Sequence, residues 1–419
     1  MNDLSVLLLF LSSLLLALMA MRWLCDWLEQ PSVLGELLLG VIVGNIGFLF
    51  GSPLFAVLMN PESAETLVET APVATHVATI FAALAELGAI LLLFSAGLET
   101  SVAKMKRVGG RAVLVAIIGV VAPFALAYGT CVALHVQMSV AGHLFLAATL
   151  SATSVGITAS VLKDLRAMDR HESEIILGAA VIDDVLGLVL LAIVSRIATS
   201  GDVDPWLIAQ TSGTALLFVF LTLVFGETLA ARGAKLFQSL DKQNGREFFA
   251  LAFTFGFAWL AQAVELAAIV GGFAAGLVMR DHVAPLRSAS ENGRVVPTIS
   301  TTIAPLERFL SPLLFLFVGM QVDVTFFFDS MTLLLAAIFT LCAVIGKLLS
   351  GIVAGSNLSR LAVGIGMIPR GEVGLVFLGV GRGLGVVNDS LFAALVIVVF
   401  ATTIITPPLL KWSLRRADA

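Results

Sequence analysis

Charged residues are scarce in this sequence: Asp, Glu, Lys and Arg make up 13% of its 419 residues, against about 25% in soluble globular domains. So few charges exclude a soluble enzyme of several domains. They also exclude a disordered chain, which stays unfolded through high charge and low hydrophobicity. The formal net charge of −5 provides no basic surface for a polyanion, so a nucleic-acid partner is excluded as well.

Cysteine and histidine are also rare, with three Cys and five His in the whole chain. Cys25, Cys131 and Cys342 lie far apart inside apolar stretches, and no C-x-x-C spacing or Cys/His cluster occurs in the sequence. These spacings indicate no disulfide framework, no zinc site and no haem attachment. We therefore expect a protein without a cofactor.

Long apolar runs are what the sequence has instead. Hydrophobic residues make up 59% of the chain, and its mean hydropathy is +1.03. A helix needs about 20 mostly apolar residues to cross a bilayer, and thirteen stretches meet that description. The chain is therefore predicted to be an all-α polytopic membrane protein with thirteen transmembrane helices. The predicted spans are 4–28, 33–50, 75–98, 109–134, 139–162, 174–199, 205–229, 247–263, 265–281, 303–320, 331–355, 360–384 and 389–410.

The distribution of cations along the chain predicts its orientation. The N-terminus, Met-Asn-Asp, lacks the cations that begin a cleaved signal peptide, so the first span is expected to be retained. With the N-terminus outside, twenty of the 24 Lys and Arg fall at cytoplasmic loops or at the C-terminus, as the positive-inside rule requires. We expect a protein of the bacterial inner membrane with its N-terminus outside and its C-terminus in the cytoplasm.

Thirteen spans divide into six, one and six, and the two six-helix halves would then be inverted repeats separated by a linker helix. The second span of each half carries a G-x-x-x-G pattern, at Gly40/Gly44 and Gly272/Gly276. The fifth span of each half is interrupted, at 151–158 by polar residues and at 364–374 by a proline and glycines. Broken helices at matching positions are typical of ion sites at the membrane midplane.

Two adjacent carboxylates, Asp183 and Asp184, lie about ten residues from either end of their predicted span. One charge at that depth costs about 2.5–3.5 kcal/mol, so the pair predicts an ion or proton site. The alternative is a structural pair satisfied by hydrogen bonds. Neighbouring helical residues point about 100° apart, so the two carboxylates need not share one role.

Lys347 is the predicted partner of the aspartates, because it lies more than two turns from the nearer end of its span. A buried ammonium needs a counter-ion. The alternative is a lysine that reaches the membrane surface through its flexible side chain. A paired Lys347 could be a proton carrier or a fixed counter-charge, and both roles stay open.

Several other polar residues are weaker candidates. Arg370 and Glu372, on the second interrupted helix, could form a structural ion pair or take a direct part in transport. Thr153 and Ser154, on the first, could ligate a cation through their hydroxyls or could join helices by hydrogen bonds. Glu86 lies deep in its span and could be an auxiliary gating charge.

Seven segments together resemble the monovalent cation:proton antiporter superfamily, in the branch that holds NapA-type sodium/proton antiporters and the membrane domains of Kef-type potassium systems. The resemblance covers nearly the whole chain, and the order and spacing of the segments make it specific. The segments are Gln-Pro-Ser-Val-Leu-Gly-Glu-Leu-Leu-Leu-Gly (30–40), Leu-Leu-Leu-Phe-Ser-Ala-Gly-Leu-Glu-Thr (91–100), Thr-Ser-Val-Gly-Ile-Thr (153–158), Asp183–Asp184, Gly-Gly-Phe-Ala-Ala-Gly-Leu (271–277), Phe-Val-Gly-Met-Gln-Val-Asp (317–323) and Arg-Gly-Glu-Val-Gly (370–374).

The resemblance implies a homodimer in the bilayer, with two crossed broken helices in each protomer, as in the NhaA/NapA-like fold. It implies a mobile core that moves like an elevator against a dimerisation domain. The corresponding ranges are 4–100 and 247–321 for the halves of the dimerisation domain, 108–200 and 331–411 for the halves of the core, and 205–230 for the linker helix.

By the same resemblance, Asp184 is the carboxylate that binds Na⁺ or Li⁺ and the proton, and Asp183 pairs with Lys347 when no cation is bound. A double aspartate with this lysine is associated with electrogenic exchange of two protons for one sodium ion. The expected activity is therefore Na⁺ (or Li⁺)/H⁺ antiport by a secondary transporter that is not an enzyme. K⁺/H⁺ antiport is the alternative on the same scaffold, and an ion channel and an intramembrane aspartyl protease are remote alternatives.

Overall fold

The computed structural model describes residues 3–28, 30–59, 71–99, 102–164, 167, 170–200, 205–240, 245–283, 299–355 and 359–417. Every regular element in these ranges is a helix, and they contain no strand. The α-helices are α1 Asp3–Trp27, α2 Ser32–Leu49, α3 Pro53–Met59, α4 Pro72–Glu99, α5 Val102–Ala133, α6 Val140–Ser151, α7 Val155–Asp164, α8 His171–Ser200, α9 Pro205–Leu221, α10 Glu227–Leu240, α11 Gly245–Ala263, α12 Ala268–Val283, α13 Ile299–Met320, α14 Ser330–Gly351, α15 Arg360–Gly366, α16 Glu372–Gly383 and α17 Asp389–Ala417. A π-helical segment, Thr222–Gly226, joins α9 to α10, and 3₁₀ turns lie at Val324–Phe328 and Ile352–Ala354.

Eight helices in the described part of the chain are long and apolar enough to cross a membrane. They establish an all-helical, multi-pass membrane protein. Four further apolar helices are shorter: Val140–Ser151, Glu247–Ala263, Ala268–Met279 and Val373–Gly383. Two of these four belong to interrupted spans, whose halves are each too short to cross alone. The count of thirteen spans and the inverted repeat stay predictions.

The chain divides into two compact units. The larger unit consists of Met1–Ala83, Lys104–Gly201 and Phe315–Ala419, and it contains both interrupted helices and the aspartate pair. The smaller unit consists of Leu84–Ala103 and Asp202–Leu314, and it contains α9 to α12. The predicted division into dimerisation and core halves stays a prediction.

Helices pack closely at glycines inside each unit. In the larger unit, a Cβ added at Gly40 of α2 would lie 2.4 Å from the carbonyl oxygen of Leu316 in α13. In the smaller unit, a Cβ added at Gly276 of α12 would lie 2.0 Å from the carbonyl oxygen of Phe94 in α4. Only glycine allows such backbone contact. The second span of each predicted half thus packs on the third span of the other half.

Polar side chains at three helix starts accept the backbone N–H groups that the first turn leaves without partners. Ser139 accepts from Gly142 N at 3.1 Å, and Ser359 accepts from Ala362 N at 3.3 Å. Asp329 accepts from Thr332 N and from Thr332 Oγ1, each at 2.8 Å. The three residues therefore fix the starts of α6, α15 and α14.

The cap at α14 predicts a pH dependence of stability. Hydrogen bonds from Thr332 lower the pKa of the exposed Asp329 carboxyl. Its stabilisation is therefore complete above the ordinary pKa of an aspartate and is lost as the pH falls through the lowered value. We expect Asp329→Ala to melt below wild type near neutral pH, by a gap that narrows as the pH falls below the ordinary pKa of an aspartate.

Melting curves of the purified protein between about pH 3 and pH 7 measure that gap. Asp329→Asn is the matched control, because its amide oxygen still accepts from the backbone without carrying a charge. It should melt above Asp329→Ala at every pH. A gap between wild type and Asp329→Ala that does not change with pH contradicts the prediction.

Candidate functional site

The aspartate pair lies near the middle of α8, which runs from His171 to Ser200. Both carboxylates are buried: Asp183 is 1% exposed and Asp184 is 6% exposed. One apolar face of α8 packs on α5 and on the end of α15, in a cluster that includes Ala116, Ala180 and Met367. This packing fixes the helix, so the two carboxylates are held at a set depth inside the larger unit.

Lys347 forms a fully buried ion pair with Asp183. Its Nζ donates to Asp183 Oδ1 at 2.9 Å, and both side chains are 0% exposed. The pair joins α14 to α8 across 164 residues of sequence. Removing one partner of such a pair costs about 3–5 kcal/mol, because the other charge is left buried without compensation. Asp183 Oδ2 accepts no hydrogen bond from the described residues.

The first interrupted helix breaks between Ser151, the last residue of α6, and Val155, the first residue of α7. Ala152 is extended, with ψ of 143°. Within the break, Thr153 Oγ1 donates to the carbonyl oxygen of Met367 at 3.4 Å, and Ser154 N donates to that of Pro369 at 2.8 Å. Both acceptors belong to the second break, so the two unwound segments lie against each other.

The second interrupted helix breaks between Gly366, at the end of α15, and Glu372, at the start of α16. Thr158 of α7 donates through Oγ1 to the carbonyl oxygen of Gly366 at 2.7 Å. Pro369 lies within the break and cannot donate a backbone hydrogen bond. The side chain of Glu372 lies outside the described residues, so the predicted ion pair between Arg370 and Glu372 stays a prediction.

Arg370 is 1% exposed and holds the two breaks together. Its guanidinium donates to the carbonyl oxygens of Ile368, at 2.7 Å, and of Met367, at 3.4 Å. It also donates to the carbonyl oxygen of Leu150, in the last turn of α6. A cation is favoured at the carboxyl end of a helix, and here one cation serves the ends of both α6 and α15. These carbonyl partners were not predicted from the sequence.

Gly119 of α5 borders the buried ion pair and was not among the site residues predicted from the sequence. A Cβ at this position would lie 3.4 Å from Lys347 Nζ and 3.7 Å from Asp183 Oδ1. Four residues later, Pro123 lies against Gly346, whose added Cβ would be 2.5 Å from the Cα of Pro123. Because proline lacks an N–H, the carbonyl of Gly119 has no helical donor. The Gly-x-x-x-Pro spacing was the available signal.

We expect Gly119→Val to slow exchange and to lower the stability by about 1–3 kcal/mol, the cost of overpacking a buried site. The branched side chain would displace the ammonium of Lys347 from Asp183. Gly129→Val is the matched control on the same helix, since a Cβ at Gly129 meets nothing within 4 Å. The test compares the transport rates and the melting temperatures of the two variants in the same vesicles. Equal rates for the two variants contradict the prediction.

The structure thus brings five of the predicted residues into one buried region of the larger unit: Asp183, Asp184, Lys347, Arg370 and Thr153. Ser154 joins them through its backbone N–H. Glu86 belongs to the smaller unit, where its side chain is exposed on α4. Its predicted auxiliary role stays a prediction.

The region offers carboxylate, hydroxyl and carbonyl oxygens, which are the ligands that hard cations prefer. Among the described residues, no group of three or more His, Cys, Asp or Glu could hold a metal ion.

Comparisons with known proteins find similar proteins along nearly the whole chain. The High-affinity Na(+)/H(+) antiporter NhaS3 of Synechocystis is 34% identical over 412 residues, which cover 92% of this chain and 85% of the relative. The Na(+)/H(+)-K(+) antiporter GerN of Bacillus cereus is 30% identical over 397 residues, covering 93% and 92%. The solved structure of the sodium proton antiporter MjNhaP1 from Methanocaldococcus jannaschii matches with a TM-score of 0.60 and 16% identity, over 100% of this chain and 97% of that one.

The structural match shows a shared fold, and the two relatives confirm the resemblance seen in the sequence. Residues 11–416 also match the family described as "Sodium/hydrogen exchanger, transmembrane". That match spans nearly the whole chain. The protein therefore belongs to the transmembrane sodium/hydrogen exchanger family.

Proposed function

We propose that this protein is a secondary antiporter that exchanges Na⁺, or Li⁺, for H⁺ across the membrane. One observation carries the proposal: a buried Asp183–Lys347 ion pair lies next to a second buried carboxylate, Asp184, in the middle of a membrane-spanning helix. Buried charges at such depth are costly and mark ion or proton pathways. Two relatives whose names include Na⁺/H⁺ antiport are similar to this chain over most of their own length, and they support the same activity.

In this proposal, Asp184 binds either a cation or a proton, because both require its ionised carboxylate. The hydroxyl of Thr153 and backbone carbonyls of the crossed breaks supply further oxygens to the cation. Asp183 pairs with Lys347 when no cation is bound, and the pair opens when the cation enters. Because these residues release protons when the cation binds, the transport of cations is coupled to the transport of protons.

The proposed exchange is electrogenic, with two protons moved for each sodium ion. Four charged groups lie buried in the region, Asp183, Asp184, Lys347 and Arg370. Their formal charges sum to zero when all four are ionised. When the cation binds, one proton leaves Asp184 and the second leaves the pair formed by Asp183 and Lys347. The proton-loaded and cation-bound states then differ by one charge, and a membrane potential acts on that difference with about 2.3 kcal/mol per charge per 100 mV.

We further propose that the site alternates between the two sides by an elevator motion of the core in a homodimer. The halves of the dimerisation domain would be 4–100 and 247–321, and the protein would lie in the bacterial inner membrane with its C-terminus in the cytoplasm. The glycine contacts of α2 with α13 and of α4 with α12 support a closely packed scaffold.

The test uses purified protein in liposomes with an imposed pH gradient and a pH-sensitive dye. Na⁺, Li⁺, K⁺ and choline are added in turn. Collapse of the gradient by Na⁺ or Li⁺, but not by choline, is the expected result. No response to any cation, from protein that melts cooperatively, would overturn the proposal.

K⁺/H⁺ exchange is the second candidate. One observation favours it: GerN, 30% identical to this chain, carries a name that includes K⁺. Collapse of the gradient by K⁺ alone would replace the first candidate with this one. Collapse by Na⁺ and K⁺ alike would assign a site that both ions enter.

A further inference from the structure

A groove of about 330 Å³ lies in the smaller unit, between the predicted linker helix and α11. Its lining is almost entirely apolar. Leu217, Phe225 and Leu229 on its rim are 54%, 62% and 55% exposed. The lining residues are Thr214, Leu217, Phe218, Leu221, Thr222, Phe225, Gly226, Leu229, Phe257, Leu260 and Val264. A concave apolar surface of this kind is suited to one long hydrocarbon chain.

The π-helical segment Thr222–Gly226 forms one wall of the groove. Such segments are rare and occur often at functional sites. Close contacts at two glycines hold this helix in place: a Cβ at Gly226, which also lines the groove, would lie 3.0 Å from Val278 of α12, and one at Gly233 would lie 2.3 Å from the ring of Phe249 in α11. The groove is therefore built on a helix that packs closely on α11 and α12.

A second cavity, of about 260 Å³, follows along the same helix. It is lined by Glu227, Thr228, Ala231, Arg232 and Lys235, so its formal charge is +1. Arg232 lies three residues after Leu229, and residues at that spacing share a helix face. The apolar groove thus leads into a basic cavity within two helical turns.

We infer that the groove and the basic cavity together bind one anionic phospholipid, with an acyl chain along Leu217, Phe225 and Leu229 and the phosphate at Arg232 and Lys235. The order of surfaces along the helix, apolar and then basic, is the order of tail and headgroup in a lipid. Lys and Arg side chains near a membrane surface attract anionic lipid headgroups. The excess of one positive charge selects an anionic lipid over a zwitterionic one.

The experiment measures lipid binding to the purified full chain in neutral detergent, by native mass spectrometry and by the shift in melting temperature. Phosphatidylglycerol is compared with phosphatidylcholine of the same acyl chains and with glycerol phosphate alone. We expect phosphatidylglycerol to bind and stabilise, phosphatidylcholine to bind about tenfold more weakly, and glycerol phosphate to have no effect.

Two variants separate the parts of the site. Arg232→Gln/Lys235→Gln should lose the preference for phosphatidylglycerol, and Leu217→Trp should weaken binding of both lipids by filling the groove. The control, Lys411→Gln/Arg415→Gln, removes the same charge from exposed positions on α17 and should keep the preference.

Equal binding of the two lipids to wild type would overturn the inference, as would equal loss in the control variant. Stabilisation by glycerol phosphate alone would assign a phosphate site instead. A change of oligomeric state in Leu217→Trp without a change in lipid binding would assign the groove to a second copy of the chain. These readouts do not involve transport, so they stand whether or not exchange activity is found.

Discussion

An Asp184→Asn variant is expected to lose cation-driven proton exchange by at least about a hundredfold. Asparagine keeps the shape of the side chain but cannot ionise, so it can neither carry the proton nor neutralise a cation. Loss of a charge partner at a buried site costs about 3–5 kcal/mol, and about 2.8 kcal/mol is a factor of one hundred. The pH dye assay with Na⁺ and with Li⁺ measures the loss directly.

Glu174→Gln is the matched control for this variant. It makes the same chemical change on the same helix, but Glu174 is exposed near the start of α8, where it contacts His171. It should exchange at the wild-type rate. A folded Asp184→Asn protein that also exchanges at that rate contradicts the assignment of Asp184.

A Lys347→Gln variant is expected to be about 3–5 kcal/mol less stable than wild type, because Asp183 is left charged and buried without a partner. Adding Asp183→Asn removes that charge as well, and most of the lost stability should return. Unfolding free energies of wild type, the two single variants and the double variant give the coupling between the two side chains. A coupling near zero would mean that the ion pair contributes nothing beyond its separate parts.

The same double variant tests the electrogenic proposal. Without the Asp183–Lys347 pair, only Asp184 remains to exchange one proton for one cation. Exchange should persist but become insensitive to an imposed membrane potential. The measurement compares rates with and without a potassium diffusion potential. A double variant as voltage-sensitive as wild type would exclude Lys347 and Asp183 as the source of the extra charge.

The features predicted from the sequence are those that follow from the free-energy cost of placing polar groups inside a membrane. Apolar runs predicted helices, and a proline with glycines predicted the break that the structure has between Gly366 and Glu372. The cost of burying Lys347 led to an acidic partner, and the structure places it at Asp183. Each of these inferences needs only residue identity and depth along a span.

What the sequence did not predict depends on backbone atoms and helix faces. Arg370 donates to the carbonyl of Leu150, 220 residues away. Because every residue has a backbone carbonyl, residue types do not reveal which one accepts the bond. Glu86 is deep along α4 yet exposed, because depth does not tell which face a residue occupies. Gly119 leaves room for the ion pair because it has no side chain. The two residues that it borders, Asp183 and Lys347, belong to helices that are distant in sequence.

Helix length has a consequence for bilayer thickness. At about 1.5 Å per residue, the 18 residues of α2 and the 19 of α11 span about 27 and 28 Å, slightly less than a hydrocarbon core of about 30 Å. The 32 residues of α5 and the 30 of α8 are long enough to tilt or to extend beyond it. The short helices therefore match a thin bilayer, and acyl-chain length becomes a variable of any reconstitution alongside headgroup charge.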